Sequence, residues 1–256
     1  ELTAQRAQRQ LRQAWSRRVS PEVLAVILDS PGLTRVGGRR LVGTVLFSDL
    51  QDFTKFCHST APEKVVERIN KYFSVASEVM RKHGGTILKF IGDGVMAVFG
   101  DPVPQPDHAR RALEAAVEFV QRMQVLAEQA GDAEWVMHVR VGLHTGELVA
   151  GDVGSEQLLE YTVMGDTVST ASRLEGINKQ FGTQIVLSGD TAAQVGDGYE
   201  LVPLGETDIR GRDEAMLLYT VREVGNHEER DRQTLEGTGV GSGGSGSDGA
   251  GSAPAG

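Results

Sequence analysis

The stretch TVLFSDLQDF at 44–53 runs from a short apolar segment directly into a carboxylate at Asp49. A second stretch, ILKFIGDGVMAVFG at 87–100, repeats the pattern with Asp93. Short runs rich in apolar and β-branched residues are typical of buried strands. We therefore predict that each aspartate lies where a buried strand ends.

The sequence around these aspartates alternates strand and helix patterns. A capping-box pattern at Thr60 and Glu63 predicts the start of the first helix. Gly92, Asp93 and Gly94 predict a tight hairpin turn. The predicted strands are 42–47, 86–91, 95–99 and 136–143, and the predicted helices are 60–84 and 107–130. This order predicts an α+β fold with a ferredoxin-like βαββαβ core, one sheet and both helices on one face.

The predicted neighbourhood of the two aspartates raises an electrostatic question. If the first strand lies beside the hairpin at the usual spacing of ~4.8 Å, Asp49 and Asp93 converge. Two ionised carboxylates repel each other, and a divalent cation removes the conflict. Oxygen ligands without a nearby His or Cys favour Mg²⁺ or Mn²⁺ over zinc. The alternative is that both aspartates only cap turns, as Asp commonly does.

Composition limits the classes of function. With 256 residues and 39% apolar content, the chain can bury a full core. A net charge of −9 argues against a nucleic-acid partner and against direct contact with an anionic membrane. Cys57 is the single cysteine, so we predict no internal disulfide and a reducing, cytoplasmic setting. These observations concern this segment alone and leave open a membrane anchor in a longer parent protein.

Four segments together resemble the class III adenylyl and guanylyl cyclase catalytic domain. They are FSDLQDFT at 47–54, KFIGDGVMAVF at 89–99, GLHTGELVAG at 142–151 and YTVMGDTVSTASRLE at 161–175. The resemblance implies a ferredoxin-like core with C-terminal α/β additions and a head-to-tail homodimer with active sites at the interface. It also implies that GLHTGELVAG is a hairpin near that interface.

The resemblance implies a role for each matching residue near the carboxylates. Asp49 and Asp93 occupy metal-ligand positions, and the Leu50 carbonyl is a further ligand. Backbone N–H groups around Phe53 and Thr54 lie near the phosphates. Two Mg²⁺ or Mn²⁺ ions per site would then assist attack of the ribose 3′-hydroxyl of ATP on the α-phosphorus. The products are 3′,5′-cyclic AMP and pyrophosphate.

Four further residues match the family's substrate contacts. Arg173 corresponds to the arginine that stabilises charge on the α-phosphate, and Arg210 corresponds to a triphosphate-binding cation. Lys89 and Thr162 resemble the purine-recognition pair of bacterial adenylyl cyclases. Lys89 can donate to adenine N1 and the Thr162 hydroxyl can accept from N6, whereas guanine presents an N1 donor to the lysine. These groups are expected to serve the metal site of the partner chain.

Two residues depart from the family's pattern. Asp52 stands where the family usually has Gly, and it brings a Cβ and a negative charge to a loop near the triphosphate. Ser169 replaces the Asn that orients the ribose, and its hydroxyl is shorter and makes fewer hydrogen bonds. We expect a slow but active adenylyl cyclase. The alternatives are a guanylyl cyclase and a catalytically silent nucleotide-binding signalling dimer.

The chain divides into four zones. Residues 1–18 predict a signalling-type helix, with a frayed chain end as the alternative, and 19–41 predict a connector to the catalytic domain. The catalytic domain is predicted at 42–224, and the Gly- and Ser-rich residues 225–256 are predicted to be disordered. The first residue, Glu1, suggests an excised piece of a longer protein with an upstream sensor.

The histidines show no metal-ligand spacing, and most are predicted to be surface or turn residues. This prediction covers His58, His83, His108, His138 and His144.

Overall fold

The computed structural model describes residues 38–129, 138–155, 157–212 and 214–222. The predicted N-terminal helix, the first part of the connector, the predicted tail and the start of the strand predicted at 136–143 lie outside these residues. No helix within the described ranges is long and apolar enough to cross a membrane.

The described ranges contain strands and helices in the predicted order, followed by C-terminal additions. The elements are β1 (Arg39–Leu50), α1 (Phe53–Ser59), α2 (Pro62–Lys82), β2 (Thr86–Ile91), β3 (Gly94–Phe99), α3 (His108–Gln129), β4 (Val139–Ser155), β5 (Leu158–Met164), α4 (Asp166–Phe181), β6 (Ile185–Ser188), α5 (Gly189–Val195), β7 (Leu201–Thr207) and β8 (Met216–Val221).

The strands form one sheet in the order β2-β3-β1-β4-β6-β8-β7, and β5 pairs with β4 off this path. Strand β1 lies between β3 and β4 and is antiparallel to both. The first four strands thus have the spatial order of a ferredoxin-like fold, and the prediction of a βαββαβ core is confirmed. The additions extend the sheet beyond β4, beginning with the parallel pairing of β4 with β6.

Each face of the sheet carries its own apolar core. Helices α2 and α3 cover one face, where their side chains pack with alternate residues of the strands. This first core includes Leu46, Leu50, Tyr72, Val79, Val95, Ala97, Phe99, Phe119, Val139 and Leu143. Strand β5 and helix α4 cover the other face. This second core includes Val45, Met96, Val98, Leu148, Ala150, Val163 and Ala171.

The start of α2 differs from the prediction. The helix begins at Pro62, and Ala61 occupies the N-cap position without a side-chain hydrogen bond. The predicted capping box at Thr60 and Glu63 is therefore wrong. Proline suits the first helical position because its fixed φ is already helical and its missing N–H would have no partner there. The short helix α1 was not predicted.

The segment GLHTGELVAG is not a hairpin, because all of it lies within the long strand β4. Its glycines serve packing instead of turns. A Cβ at Gly142 would collide with the backbone nitrogen of Glu175, and one at Gly146 would lie 2.7 Å from Thr167 Oγ1. The missing side chains allow helix α4 to approach the strand closely.

Three of the five histidines are exposed or partly exposed, as predicted for most of them, whereas His108 and His144 are buried. His108 Nδ1 lies 2.8 Å from Thr44 Oγ1, and His144 Nδ1 lies 2.7 Å from Ser188 Oγ. Burial lowers the pKa of both imidazoles below the ordinary value of 6.5. A hydroxyl partner for a ring nitrogen is what makes burial of the neutral ring acceptable.

We expect these histidines to make the fold sensitive to acid. Below about pH 6.5 the unfolded chain binds protons at both imidazoles while the folded chain does not, so their contribution to stability is lost as pH falls. The free energy of unfolding of His144→Gln should therefore depend less steeply on pH between 7.5 and 5.5, roughly the range in which histidine titrates. Urea unfolding of this variant, of the parent and of the exposed-site control His58→Gln measures the effect. Equal slopes in all three proteins would contradict it.

Candidate active site

Two carboxylates meet at one end of the central strands. Asp49 is the second-last residue of β1, and Asp93 lies in the two-residue turn between β2 and β3. The pairing of Ser48 with Val95 brings the end of β1 beside this turn. The two carboxylates lie close enough for Asp49 to affect the ionisation of Asp93, which agrees with the predicted convergence.

The contact changes the acidity of Asp93. Burial, the hydrogen bond with Asp49 and the charge of Asp49 raise the pKa of Asp93 to about 6. Backbone amides, including that of Leu50, oppose this shift by hydrogen bonding to the carboxylate. At mildly acidic pH the pair therefore keeps a proton that an ordinary aspartate would have lost. A bound cation would replace that proton.

The oxygen atoms of this site fit a hard divalent cation that also binds the phosphates of a substrate. Among the described residues, no three side chains of His, Cys, Asp or Glu come together as a metal site. Two carboxylates alone do not complete the coordination of a metal. Mg²⁺ characteristically takes one or two carboxylates and fills its octahedron with substrate phosphates and water. Asp49 and Asp93 match that requirement, and the Leu50 carbonyl is the next oxygen along the chain.

A buried arginine that the sequence analysis did not identify lies beside the pair. Arg140 is opposite Asp49 in the β1–β4 register, and its Nη2 lies 3.7 Å from Asp49 Oδ2. Its Nε lies 3.2 Å from Glu175 Oε1 on α4. Burial, followed by the charge of Asp49, raises the pKa of Glu175. The sequence signal was a charge inside the apolar run 139–143, but nothing in it pairs residue 140 with residue 175.

A bulge decides which way Lys89 points. Ile87 pairs with Ala97 of the first core, and Lys89 pairs with Met96 of the second core, so Leu88 is an extra residue in β2. Without the bulge, alternation would turn Lys89 towards α2 and α3. With it, the lysine lies on the face covered by β5.

Strand β5 provides the neighbours of Lys89. The lysine Nζ lies 2.9 Å from Glu160 Oε2, and both side chains are partly exposed. Thr162 is two residues along the same strand and is buried. Lys89 thus contacts β5 through Glu160, which the sequence analysis did not identify. The sequence signal that could have identified Glu160 was its spacing of two residues from Thr162, which places both on the same side of a strand.

The predicted phosphate-binding residues lie on α4 and in the turn before β8. Ser169 is exposed on α4, and Arg173 is half-buried on the same helix. A Cβ at Gly211, the residue after Arg210, would lie 3.3 Å from Arg173 Nη2, so the turn and the helix meet there. Arg212 Nη1 lies 2.7 Å from Asp166 Oδ2, and this ion pair connects the turn to α4.

These cations do not reach the carboxylate pair of their own chain. Within the described residues the only arginine or lysine in an ion pair with Asp49 or Asp93 is Arg140. Lys89 pairs with Glu160 instead.

The comparison with known proteins identifies the family. Residues 42–223 match the model of the adenylate and guanylate cyclase catalytic domain. This chain belongs to that family. Cyclases of this family generally use divalent metal ions, which agrees with the oxygen donors of the carboxylate pair.

Relatives of both substrate types resemble this cyclase domain. Adenylate cyclase 1 of Rhizobium meliloti (strain 1021) is 40% identical over 189 residues, which cover 72% of this chain and 28% of that protein. The chain thus spans little more than a quarter of this curated relative. The crystal structure of the adenylyl cyclase CyaB from P. aeruginosa is 30% identical with a TM-score of 0.67, covering 74% of this chain and 100% of that one. The guanylyl cyclase Cya2 is 33% identical with a TM-score of 0.68, covering 75% and 97%.

The loop after the carboxylate strand has an unusual backbone in this cyclase domain. Asp52 has φ 59° and ψ 19°, which is left-handed, and it is the one non-glycine residue with positive φ in the described ranges. Its side chain is exposed and makes no capping hydrogen bond to α1. Phe53, the first residue of α1, packs against the first core, and Thr54 is exposed. The conformation is one that glycine adopts most easily.

We expect Asp52→Gly to strengthen binding of a nucleoside triphosphate several-fold. The substitution removes a negative charge near the expected triphosphate, and it removes a Cβ from a left-handed position that glycine adopts easily. Calorimetric titration with 3′-deoxy-ATP, which lacks the attacking hydroxyl, measures the affinity. Asp52→Asn is the matched control because it removes only the charge. If neither variant binds more tightly than the parent, Asp52 does not oppose the triphosphate.

Proposed function

We propose that this cyclase domain is an adenylyl cyclase that converts ATP into 3′,5′-cyclic AMP and pyrophosphate. Membership of the cyclase family supports the reaction class. The observation that favours ATP is the position of Lys89, which the bulge in β2 directs to the face of β5, where it pairs with Glu160, two residues before Thr162.

The hydrogen-bonding groups of this cluster match adenine. A lysine ammonium only donates, so Lys89 can donate to adenine N1 while another of its protons stays with Glu160. The Thr162 hydroxyl can accept from the N6 amino group. Guanine would place its N1–H against the ammonium, which cannot accept a hydrogen bond, and such a donor without a partner is costly in a site shielded from water.

The carboxylate pair is proposed to hold the metal ions. Asp49, Asp93 and the Leu50 carbonyl would bind two Mg²⁺ or Mn²⁺ ions per site. Bound ions of this kind lower the pKa of the ribose 3′-hydroxyl and offset the charge of the triphosphate. Asp93 must release its proton to serve as a ligand, and Arg140 offsets part of the negative charge of the pair.

The remaining residues are proposed to position the substrate. The ribose 3′-oxygen bonds to the α-phosphorus as the bond to the β-phosphate oxygen breaks, and pyrophosphate leaves. Arg173 stabilises the charge that develops on the α-phosphate, a contribution of about 3 to 4 kcal/mol for comparable donors. Arg210 and the backbone amides at Phe53 and Thr54 bind the triphosphate. Ser169 orients the ribose with a hydroxyl, which is shorter than the usual Asn side chain and makes fewer hydrogen bonds. We therefore expect slow turnover.

A second copy of the chain is proposed to complete each site. Lys89, Arg173 and Arg210 form no ion pair with Asp49 or Asp93 of their own chain. Exposed apolar side chains also cluster on β4 and β5, where another copy can cover them. This β4–β5 patch consists of Val149, Val153, Leu158, Leu159 and Met164. We further propose an upstream sensor in a longer protein and a cytoplasmic setting, which suits the exposed free thiol of Cys57.

We expect specific cyclase activity to rise with protein concentration, because the active species is the dimer. Leu158 is 77% exposed in the single chain. Leu158→Lys should shift the half-maximal protein concentration upwards by about tenfold or more. Val125→Lys, on the exposed face of α3, is the matched control and should leave the curve in place. A specific activity that is flat from nanomolar to micromolar protein, in parent and variant alike, would contradict the weak dimer.

The proposed reaction is tested by removing one metal ligand. Asp49→Asn keeps the shape of the side chain but removes its charge, and turnover of ATP should fall at least about 100-fold. Asp107→Asn, which removes a carboxylate paired with Arg111 at the start of α3, should not change turnover. Cyclic AMP is measured after chromatographic separation. Parent-level turnover by Asp49→Asn would refute the metal assignment, and an inactive parent would favour the silent signalling dimer.

A further inference from the structure

A fully buried carboxylate joins three parts of the fold away from the metal site. Asp101 follows β3, and its side chain is 0% exposed. Arg39 Nη2, on the first residue of β1, donates to Asp101 Oδ1 at 2.7 Å. The hydroxyl of Tyr161, in the middle of β5, donates to Asp101 Oδ2 at 2.7 Å. Both oxygens of the carboxylate thus have a partner.

The burial of this group makes its two contacts obligatory. A carboxylate removed from water is stable only when a counter-charge and hydrogen bonds replace its hydration. Arg39 provides the charge, and Tyr161 provides the second hydrogen bond. Burial and the bond to Asp101 raise the pKa of Tyr161, so the hydroxyl keeps its proton and continues to donate.

Strand β5 depends on contacts of this kind. In the described part of the chain it pairs with one strand, β4. Its other polar links across the sheet are Glu160 to Lys89 and Tyr161 to Asp101. The first pair is partly exposed and therefore weakened by solvent, whereas Asp101 is buried. The buried link fixes the strand more firmly than the exposed one.

We propose that Asp101, acting through Tyr161, is a positioning residue for purine recognition. Tyr161 lies between Glu160 and Thr162 in the sequence, so fixing its side chain fixes the backbone that carries both neighbours. This keeps Glu160 in place against Lys89 and fixes the position of Thr162 on the strand. The inference rests on the proposed function, because it assigns the geometry of the same base-recognition cluster.

The experiment compares ATP and GTP as substrates of the full chain. Tyr161→Phe removes one hydroxyl and should raise the KM for ATP and lower the ratio of kcat/KM for ATP to that for GTP, each by about tenfold, with a smaller change in kcat. Asp101→Asn should shift the ratio in the same direction. Tyr199→Phe, at a half-buried tyrosine before β7, is the matched control and should leave the ratio unchanged. Lys89→Ala is measured in parallel.

The outcomes separate this inference from the proposed function. If Lys89→Ala abolishes the preference for ATP while Tyr161→Phe keeps it within twofold of the parent, the positioning role is overturned and the proposed function stands. A lower melting temperature with an unchanged ratio would show a purely structural role and would overturn it too. If the parent itself has no preference for ATP, both proposals fail. Should Asp101→Asn not fold, the result for Tyr161→Phe decides.

Discussion

The close approach of the Asp49 and Asp93 carboxylates is the constraint on which the site of this domain depends. Two carboxylates cannot remain ionised in contact without a compensating charge, so the site has to bind a proton or a cation. The backbone favours the contact, because the β1–β3 register brings the end of β1 beside the two-residue turn. Arg140 gives partial compensation within the chain, and a divalent cation is proposed to complete it.

The two faces of the sheet have different roles. One face packs against α2 and α3 and carries the larger apolar core. The other face meets β5 and α4, which hold the groups proposed to contact the nucleotide. The bulge at Leu88 places Lys89 on this second face. A single extra residue in β2 thereby moves Lys89 from the helix-covered face to the face where it is proposed to contact the purine.

Local patterns were sufficient to predict the core of the fold and the carboxylate pair. Strand ends, the Gly-Asp-Gly turn and helical periodicity are short-range signals, and they predicted both the βαββαβ order and the meeting of Asp49 with Asp93. Contacts between distant segments were missed, including Arg140 with Glu175 and Lys89 with Glu160, because one sequence contains no signal for such pairing. Local rules also failed at α2, where Pro62 determines the helix start in place of the Thr60 capping pattern.

The proposed function requires this domain to cyclise ATP in preference to GTP. A competition assay tests it: micromolar protein is incubated with an equimolar mixture of both nucleotides, in Mg²⁺ and in Mn²⁺, and the products are resolved by chromatography. We expect cyclic AMP in clear excess over cyclic GMP with either metal. A predominance of cyclic GMP would contradict the role of Lys89, and the absence of both products would contradict the assignment of cyclase activity.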